Sequence, residues 1–340
     1  MKIGIVNDLP MVVETLRRVV TAGGRHQVIW AAENGRVAIE CCAQKTPDLI
    51  LMDMIMPIMD GVEATRRIMK LCPCPILIVT STVSGNSAKV FEAMGAGALD
   101  VVATPVLGAG SSADGKDLLV KIDRIAKIAG IREKAASPLQ FSPGMPAGLP
   151  QAKGPYLLLL GSSTGGPQAL VSVLQGLPRD FPAAIVVVQH MDEQFTGGMA
   201  TWLNSQLELK VRVLIEGDRP QAGAVLIAAT NNHVVMRANK AFGYSVEPKD
   251  NFYHPSVDVL FSSVAHHWQG RCIGVILTGM GSDGAEGLLT LRQRGYHTIA
   301  QDKKTSVVYG MPKAAIEAGA ARDILPVGEI GEKLKVLVTK

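Results

Sequence analysis

The strongest constraint on this chain is a repeating alternation. Short apolar, β-branched runs are each followed by a stretch whose apolar residues recur at helical spacing. In the first part the runs are KIGIV (2–6), HQVIWAA (26–32), DLILM (48–52), PILIVT (75–80) and ALDVV (98–102). Amphipathic stretches follow at 11–20, 35–44, 61–70, 84–94 and 114–130. Runs as apolar as DLILM suit strands covered on both faces. Parallel neighbours need crossovers, so five strand–helix repeats predict a parallel sheet sandwiched by helices.

The pattern resumes after a break. Residues 135–154 are rich in Pro, Gly and Ser, with little periodicity, and read as a tether between domains. A shorter flexible loop is expected at LGAGSSADG (107–115). YLLLLG (156–161) and AAIVVVQ (183–189) are again buried strands, the first followed by a helix to about residue 177. A helix is expected at 196–206 and strands at 211–215, 224–228, 233–236 and 244–247, the last three as hairpins. Ser256 should cap a helix reaching 268, CIGVILTG (272–279) should be a strand, and a helix should end near 294. HTIAQ (297–301) reads as the final strand, and Pro312 as the start of a short last helix. The boundaries are 1–130 for the first domain, 131–153 for the linker and 154–340 for the second domain. The fold class is α/β throughout, the second domain being doubly wound around a mostly parallel sheet.

Composition excludes several functional classes. Of 340 residues 47% are hydrophobic and 19% charged, which is enough apolar side chain for two cores and argues against disorder. The formal net charge of +4 comes with no basic run, so nucleic acid is not an expected partner. No apolar run approaches the roughly 20 residues of a membrane span, and an acid as early as Asp8 leaves no room for a signal-peptide apolar core. Five cysteines without framework spacing do not make a disulfide scaffold. The expected location is the cytoplasm, with no membrane insertion.

Two sets of residues carry chemistry, because ligands of open parallel sheets bind beyond the carboxyl ends of strands. In the first domain those ends hold Asn7 and Asp8, Asp53, Thr80, and Thr104-Pro105. Two carboxylates brought together repel each other, and a hard cation with oxygen ligands, Mg²⁺ above all, relieves this. A carboxylate beside a metal and a hydroxyl is suited to accept a phosphoryl group. In the second domain the strand ends hold Ser162 and Ser163, His190 and Asp283. A serine, an imidazole and a carboxylate at one edge suggest nucleophile, general base and orienting acid, with either serine as nucleophile. Backbone donors for an oxyanion are available in the turn containing Gly161, Gly165 and Gly166, or around Met280 and Gly281. The competing reading of GSSTGG (161–166) as a dinucleotide loop lacks the full glycine pattern and an acid after the next strand.

LILMDMIMPIMDG (49–61) resembles the phosphoacceptor segment of response-regulator receiver domains, which have a flavodoxin-like fold. The resemblance implies that Asp53 is phosphorylated and that Thr80 is the switch hydroxyl. It further implies that Asp8, Asp53 and Ile55 hold Mg²⁺. Two departures stand out: Asn7 occupies the place of a usual acid, and Thr104 that of a usual lysine. LLLLGSSTGGPQAL (157–170), VVVQHM (186–191), PSVDVLF (255–261) and ILTGMGSDG (276–284) resemble the catalytic domain of chemotaxis protein-glutamate methylesterases, the CheB family. The family motif makes the serine before Thr164 the nucleophile, hence Ser163, with His190 and Asp283 completing the triad. Thr164, Gly165, Gly166, Met280 and Gly281 then form the oxyanion loops. The Asn7-Asp8 start and the missing lysine look most like the Wsp-type branch.

The resemblance implies hydrolysis of glutamyl γ-methyl esters, and deamidation of glutamines, on methyl-accepting receptors. It implies a CheA-type histidine kinase as phosphodonor and no cofactor for the ester chemistry. Phosphorylation would open an esterase edge covered by the unphosphorylated receiver. The alternative expectation is a phosphorylation-controlled adaptor with an inactive hydrolase-like domain.

Overall fold

The computed structural model describes residues 1–81, 83–105, 115–131 and 156–339. The chain divides into two compact units, Met1–Gln140 and Phe141–Lys340. The expected linker at 131–153 and the loop at 107–115 lie outside the described residues, apart from Ile131 and Gly115.

The first unit contains the strands β1 (Lys2–Val6), β2 (Gln27–Ala32), β3 (Leu49–Met52), β4 (Ile76–Thr80) and β5 (Asp100–Ala103). Between and after them come α1 (Pro10–Thr21), α2 (Gly35–Gln44), α3 (Gly61–Leu71), α4 (Val83–Gly95) and α5 (Lys116–Ile131). The strands form one parallel sheet in the order β2-β1-β3-β4-β5. Every residue of β3 and β4 is buried, as their unbroken apolar runs require. Local chemistry starts the helices: Asn34 Oδ1 accepts from the amides of Arg36 and Val37 at α2, and Asp60 Oδ1 from Glu63 at α3. One core forms where Ile3, Ile5, Leu49, Leu51, Leu77 and Val79 meet Leu16, Val20 and Ile122. The strand order reverses between β1 and β3, which places Asn7, Asp8 and Asp53 at the crevice.

The second unit contains β6 (Tyr156–Ser162), β7 (Ala183–Gln189), β8 (Lys210–Val213), β9 (Ala224–Ile227), β10 (His233–Met236), β11 (Phe242–Ser245), β12 (Arg271–Ile276), β13 (His297–Gln301) and β14 (Asp323–Leu325). Its helices are α6 (Gly166–Leu174), α7 (Glu193–Gln206), α8 (Val257–His267), α9 (Ala285–Gln293), α10 (Met311–Glu317) and α11 (Val327–Val338). Seven strands make a parallel sheet in the order β14-β13-β12-β6-β7-β9-β8. The order reverses at β6. The chain builds outward through β7, then returns to lay β12 on the other side of β6. The carboxyl ends of β12, β6 and β7 are therefore adjacent at the switch point.

Three sequence expectations are corrected. The run at 224–228 is not part of a hairpin; β9 pairs in parallel with β7 and β8. An all-apolar strand needs cover on both faces, which a two-stranded ribbon does not supply. The true hairpin is β10–β11, with the second strand two residues earlier than expected. Phe242 is buried at its start, whereas Val246 is 51% exposed. Neither HTIAQ nor the Pro312 helix ends the fold, since β14 adds to β13 and α11 follows. Three residues of β14 are too few to show a period. The stripe Ile330, Leu334 and Val338 is buried at helical spacing and was legible in the sequence.

Candidate active site

Serine and histidine leave neighbouring strands at the same level. β6 and β7 pair with Ser162 opposite Gln189, and the His190 amide donates to the Ser162 carbonyl at 3.0 Å. The Ser163 amide donates to Thr278 O at 3.0 Å, which ties the same turn to the strand on its other side. Gln189 holds both residues from beneath. Its Nε2 donates to the carbonyls of Ser163 (2.8 Å) and His190 (3.3 Å), while its Oε1 accepts from Ser162 Oγ at 2.6 Å.

The two adjacent serines thus differ in environment. Ser162 is fully buried with its hydroxyl committed to Gln189. Ser163 is 7% exposed, and its hydroxyl bonds to no group among the described residues. Gly166 follows for a steric reason: a Cβ there would lie 2.0 Å from Gln189 Oε1.

His190 and Asp283 are joined directly, with Nε2 to Oδ2 at 2.7 Å. The carboxylate accepts three further hydrogen bonds, from Ser256 Oγ (2.7 Å), Val257 N (2.6 Å) and Asp258 N (3.1 Å). Asp283 therefore occupies the N-terminus of α8, and the residue at the N-cap of α9 is Gly284. Burial alone would raise the Asp283 carboxyl. The His190 hydrogen bond and charge, with Ser256 and Val257, more than offset that and hold it below the usual carboxylate range. An ionised Asp283 makes Nε2 the donor. The other ring nitrogen, Nδ1, is buried and has no hydrogen-bond partner among the described residues. The Tyr253 ring stacks on the imidazole, with centroids 4.5 Å apart and planes 11° apart.

Two loops at this edge carry the backbone amides that the sequence singles out. The Gly166 amide is taken by the Ser163 carbonyl at 2.7 Å. Among the described residues the amides of Thr164, Gly165, Met280 and Gly281 donate to no other group. Thr278 links the loops, since its Oγ1 donates to Thr164 O at 3.0 Å and accepts from Val308 N at 2.9 Å.

Asp258 lies beside Asp283. Its Oδ1 accepts from Gly287 N at 2.6 Å, and burial together with the Asp283 charge pushes its carboxyl up. Sequence reasoning missed Gln189, Tyr253 and Asp258 as parts of this site. Phe252-Tyr253 is an aromatic pair in a chain with only 4% aromatics, which was the available signal. His254 borders the site at one remove, with its ring 4.5 Å from that of His233, whose Nδ1 accepts from Ser256 N.

In the first unit Asn7 Nδ2 donates to Asp53 Oδ2 at 2.9 Å, and Met54 N donates to Oδ1 at 2.7 Å. Asn7 therefore supplies a donor where a second acid would repel. Burial pushes the Asp53 carboxyl up to about 6; the Met54 amide opposes this, and the Asp8 charge adds to it. Thr80 is buried at the end of β4, and its carbonyl accepts from Thr104 N at 3.0 Å. Ile55 is half exposed. Among the described residues no cation pairs with Asp53; Lys89 binds Asp60, and Lys121 binds Asp100. Two acids close enough to perturb one another are hard-oxygen donors of the kind that fit Mg²⁺. Among the described residues no helix is long and apolar enough to cross a membrane.

Residues 3–108 match the response regulator receiver domain family, and residues 158–334 match the CheB methylesterase family. A protein-glutamate methylesterase/protein-glutamine glutaminase of Burkholderia thailandensis is 52% identical over 341 residues, covering 100% of this chain and 98% of that protein. One from Pseudomonas fluorescens is 52% identical, with complete coverage of both. The crystal structure of the Thermotoga maritima CheB methylesterase catalytic domain shares 42% identity at a TM-score of 0.52, covering 54% of this chain and 98% of that one. Fold and site together define a response-regulator receiver domain followed by an α/β esterase-type domain. The chain belongs to the CheB methylesterase family.

Proposed function

We propose that this chain is a hydrolase of glutamyl γ-methyl esters on methyl-accepting chemoreceptors, with Ser163 as nucleophile, His190 as general base and Asp283 as the orienting acid. The observation that carries this reading is the His190 ring. Nε2 is fixed on an ionised carboxylate, and the buried Nδ1, at the strand end next to Ser163, has no partner among the described residues. Nδ1 takes the Ser163 proton as Oγ attacks the ester carbonyl. The carbonyl oxygen, now negative, is held by amides of the Thr164–Gly165 and Met280–Gly281 turns. His190 returns the proton to the departing methoxy group, and methanol leaves. Water, deprotonated by the same nitrogen, then releases the glutamate and regenerates Ser163. With a glutamine side chain the same attack expels ammonia, which accounts for a glutaminase activity. No cofactor enters this chemistry.

Asp53 is the phosphoacceptor in this reading, with a histidine kinase of the CheA type as donor and Thr80 as the switch hydroxyl. Asp8, Asp53 and the Ile55 carbonyl would hold Mg²⁺, which neutralises charge on the transferring phosphoryl group. The receiver restrains the esterase until phosphorylated, the stretch 131–153 acts as tether, and the reaction takes place in the cytoplasm. The test is methanol release from membranes carrying methylated receptor, with and without a small phosphodonor and Mg²⁺. Release that requires Ser163 and rises with phosphodonor is expected. Wild-type protein releasing no methanol from any methylated receptor overturns the substrate assignment.

A further inference from the structure

Part of the catalytic geometry rests on a segment just before α8. Its last residues face Asp283: the Ser256 hydroxyl and the amides of Val257 and Asp258 bind the carboxylate. Three residues upstream of Ser256 the same segment covers His190. The Tyr253 ring is nearly parallel to the imidazole, 4.5 Å between centroids and 11° between planes. That lies at the close end of the range for stacked rings. The Tyr253 backbone is itself tied down, its amide donating to Asn251 Oδ1 at 2.9 Å. Phe252 buttresses the tyrosine edge-on, with centroids 5.1 Å apart and planes 85° apart.

The far end of the tyrosine reaches the loop that carries Met280. A Cβ on Gly281 would lie 2.0 Å from the Tyr253 hydroxyl oxygen, and Gly281 has φ +87°. Only a glycine permits that backbone shape and that approach. One side chain thus spans the base and a loop assigned to the oxyanion.

We infer that Tyr253 is a positioning residue: its ring holds the His190 imidazole in the orientation that keeps Nε2 on Asp283 and Nδ1 toward Ser163. The inference rests on the triad assignment above. Among the described residues only one nitrogen of the His190 ring is hydrogen-bonded, and a single hydrogen bond leaves the ring free to tilt about that contact. A flat neighbour on one face removes that freedom. The same π face attracts the imidazolium that forms when His190 takes the serine proton, so the contact strengthens as the reaction proceeds. Tyr253 touches no reacting atom in this role.

The experiment compares wild-type full-length protein with Tyr253→Ala, Tyr253→Leu and Tyr253→Phe. Two readouts are used: methanol release from methylated receptor membranes, and the rate of Ser163 labelling by a fluorophosphonate, which needs no receptor. Tyr253→Ala is expected to lower kcat about 10- to 100-fold, the cost of a misplaced base, with KM little changed. Labelling should slow in parallel. Tyr253→Phe, which keeps the flat ring, should recover most of both rates. Tyr253→Leu fills the volume without a π face and should remain as slow as the alanine variant; it also serves if the alanine variant does not fold. A leucine variant with wild-type kcat and labelling overturns the inference, as does a phenylalanine variant as slow as leucine. Labelling that depends on the Tyr253 ring while wild type releases no methanol refutes the substrate assignment and leaves this one standing.

Discussion

His190 meets Asp283 through Nε2 at 2.7 Å, while its Nδ1 is buried with no hydrogen-bond partner among the described residues. The direction of the bond follows from the carboxylate. Asp283 accepts from four donors and stays ionised, so Nε2 is the donor in the bond it shares with the carboxylate.

The two serines should separate cleanly. Ser163→Ala is expected to abolish both methanol release and fluorophosphonate labelling without altering the melting temperature. Ser162→Ala should still be labelled. It removes the hydroxyl that donates to Gln189 Oε1 at 2.6 Å, leaving a buried acceptor unsatisfied at a cost of about 1–3 kcal/mol in urea unfolding. The reverse pattern of labelling would exchange their roles.

Asp283→Asn is expected to lower kcat by about 10⁴-fold, since an amide no longer stabilises the imidazolium or enforces the tautomer. It also presents an NH₂ group to amides that need an acceptor, and loses about 3 kcal/mol of stability at neutral pH. The pH dependence has a definite sign. The folded carboxyl lies below its ordinary range, so its contribution is complete above that range and is lost as pH falls through the folded value. The stability gap between wild type and Asp283→Asn should therefore narrow in acid, which urea titrations at neutral and acidic pH would reveal.

Gly281→Ala places a methyl group 2.0 Å from the Tyr253 hydroxyl at a residue with φ +87°. Both the tyrosine and the Met280 loop must shift, so kcat should fall by more than about tenfold. Stability should drop by about 1–2 kcal/mol. A kinetic assay paired with a thermal melt distinguishes this from simple unfolding.

In the receiver, Mg²⁺ should raise the melting temperature of wild type but not of Asp53→Asn or Asp8→Asn, because the proposed site uses both acids. Asp53→Asn should also abolish incorporation of phosphate from a small phosphodonor. Asn7→Asp replaces the amide that donates to Asp53 at 2.9 Å with a third acid. It should tighten Mg²⁺ binding while destabilising the metal-free protein. Equal Mg²⁺ affinity in all four proteins would place the metal elsewhere.

Removing residues 1–150 tests the regulatory reading. Basal methanol release should rise in the truncated protein and become insensitive to phosphodonor. Unchanged basal activity would argue against restraint by the receiver.

Much of this was written into the linear chain. Runs such as LILM and AAIVVVQ are too apolar for any place but the middle of a covered sheet, and their alternation with amphipathic stretches dictates parallel strands. Since parallel strands share a direction, residues just after them must gather at one edge. For that reason Asp8 and Asp53, and the serine pair Ser162-Ser163 with His190 and Asp283, were recognisable in the sequence as two sets, while the choice of Ser163 came from the family resemblance. Tertiary structure decided what depends on contacts between distant segments. β14 exists because β13 offers it hydrogen bonds, and β9 belongs to the sheet because its neighbours cover both of its faces. The contacts of Gln189 with the serines, of Tyr253 with the imidazole and of the α8 N-terminus with Asp283 were not legible, because each joins residues tens of positions apart. Sequence periodicity reports which face of an element is buried. Which groups meet across that interface is set only when the elements pack.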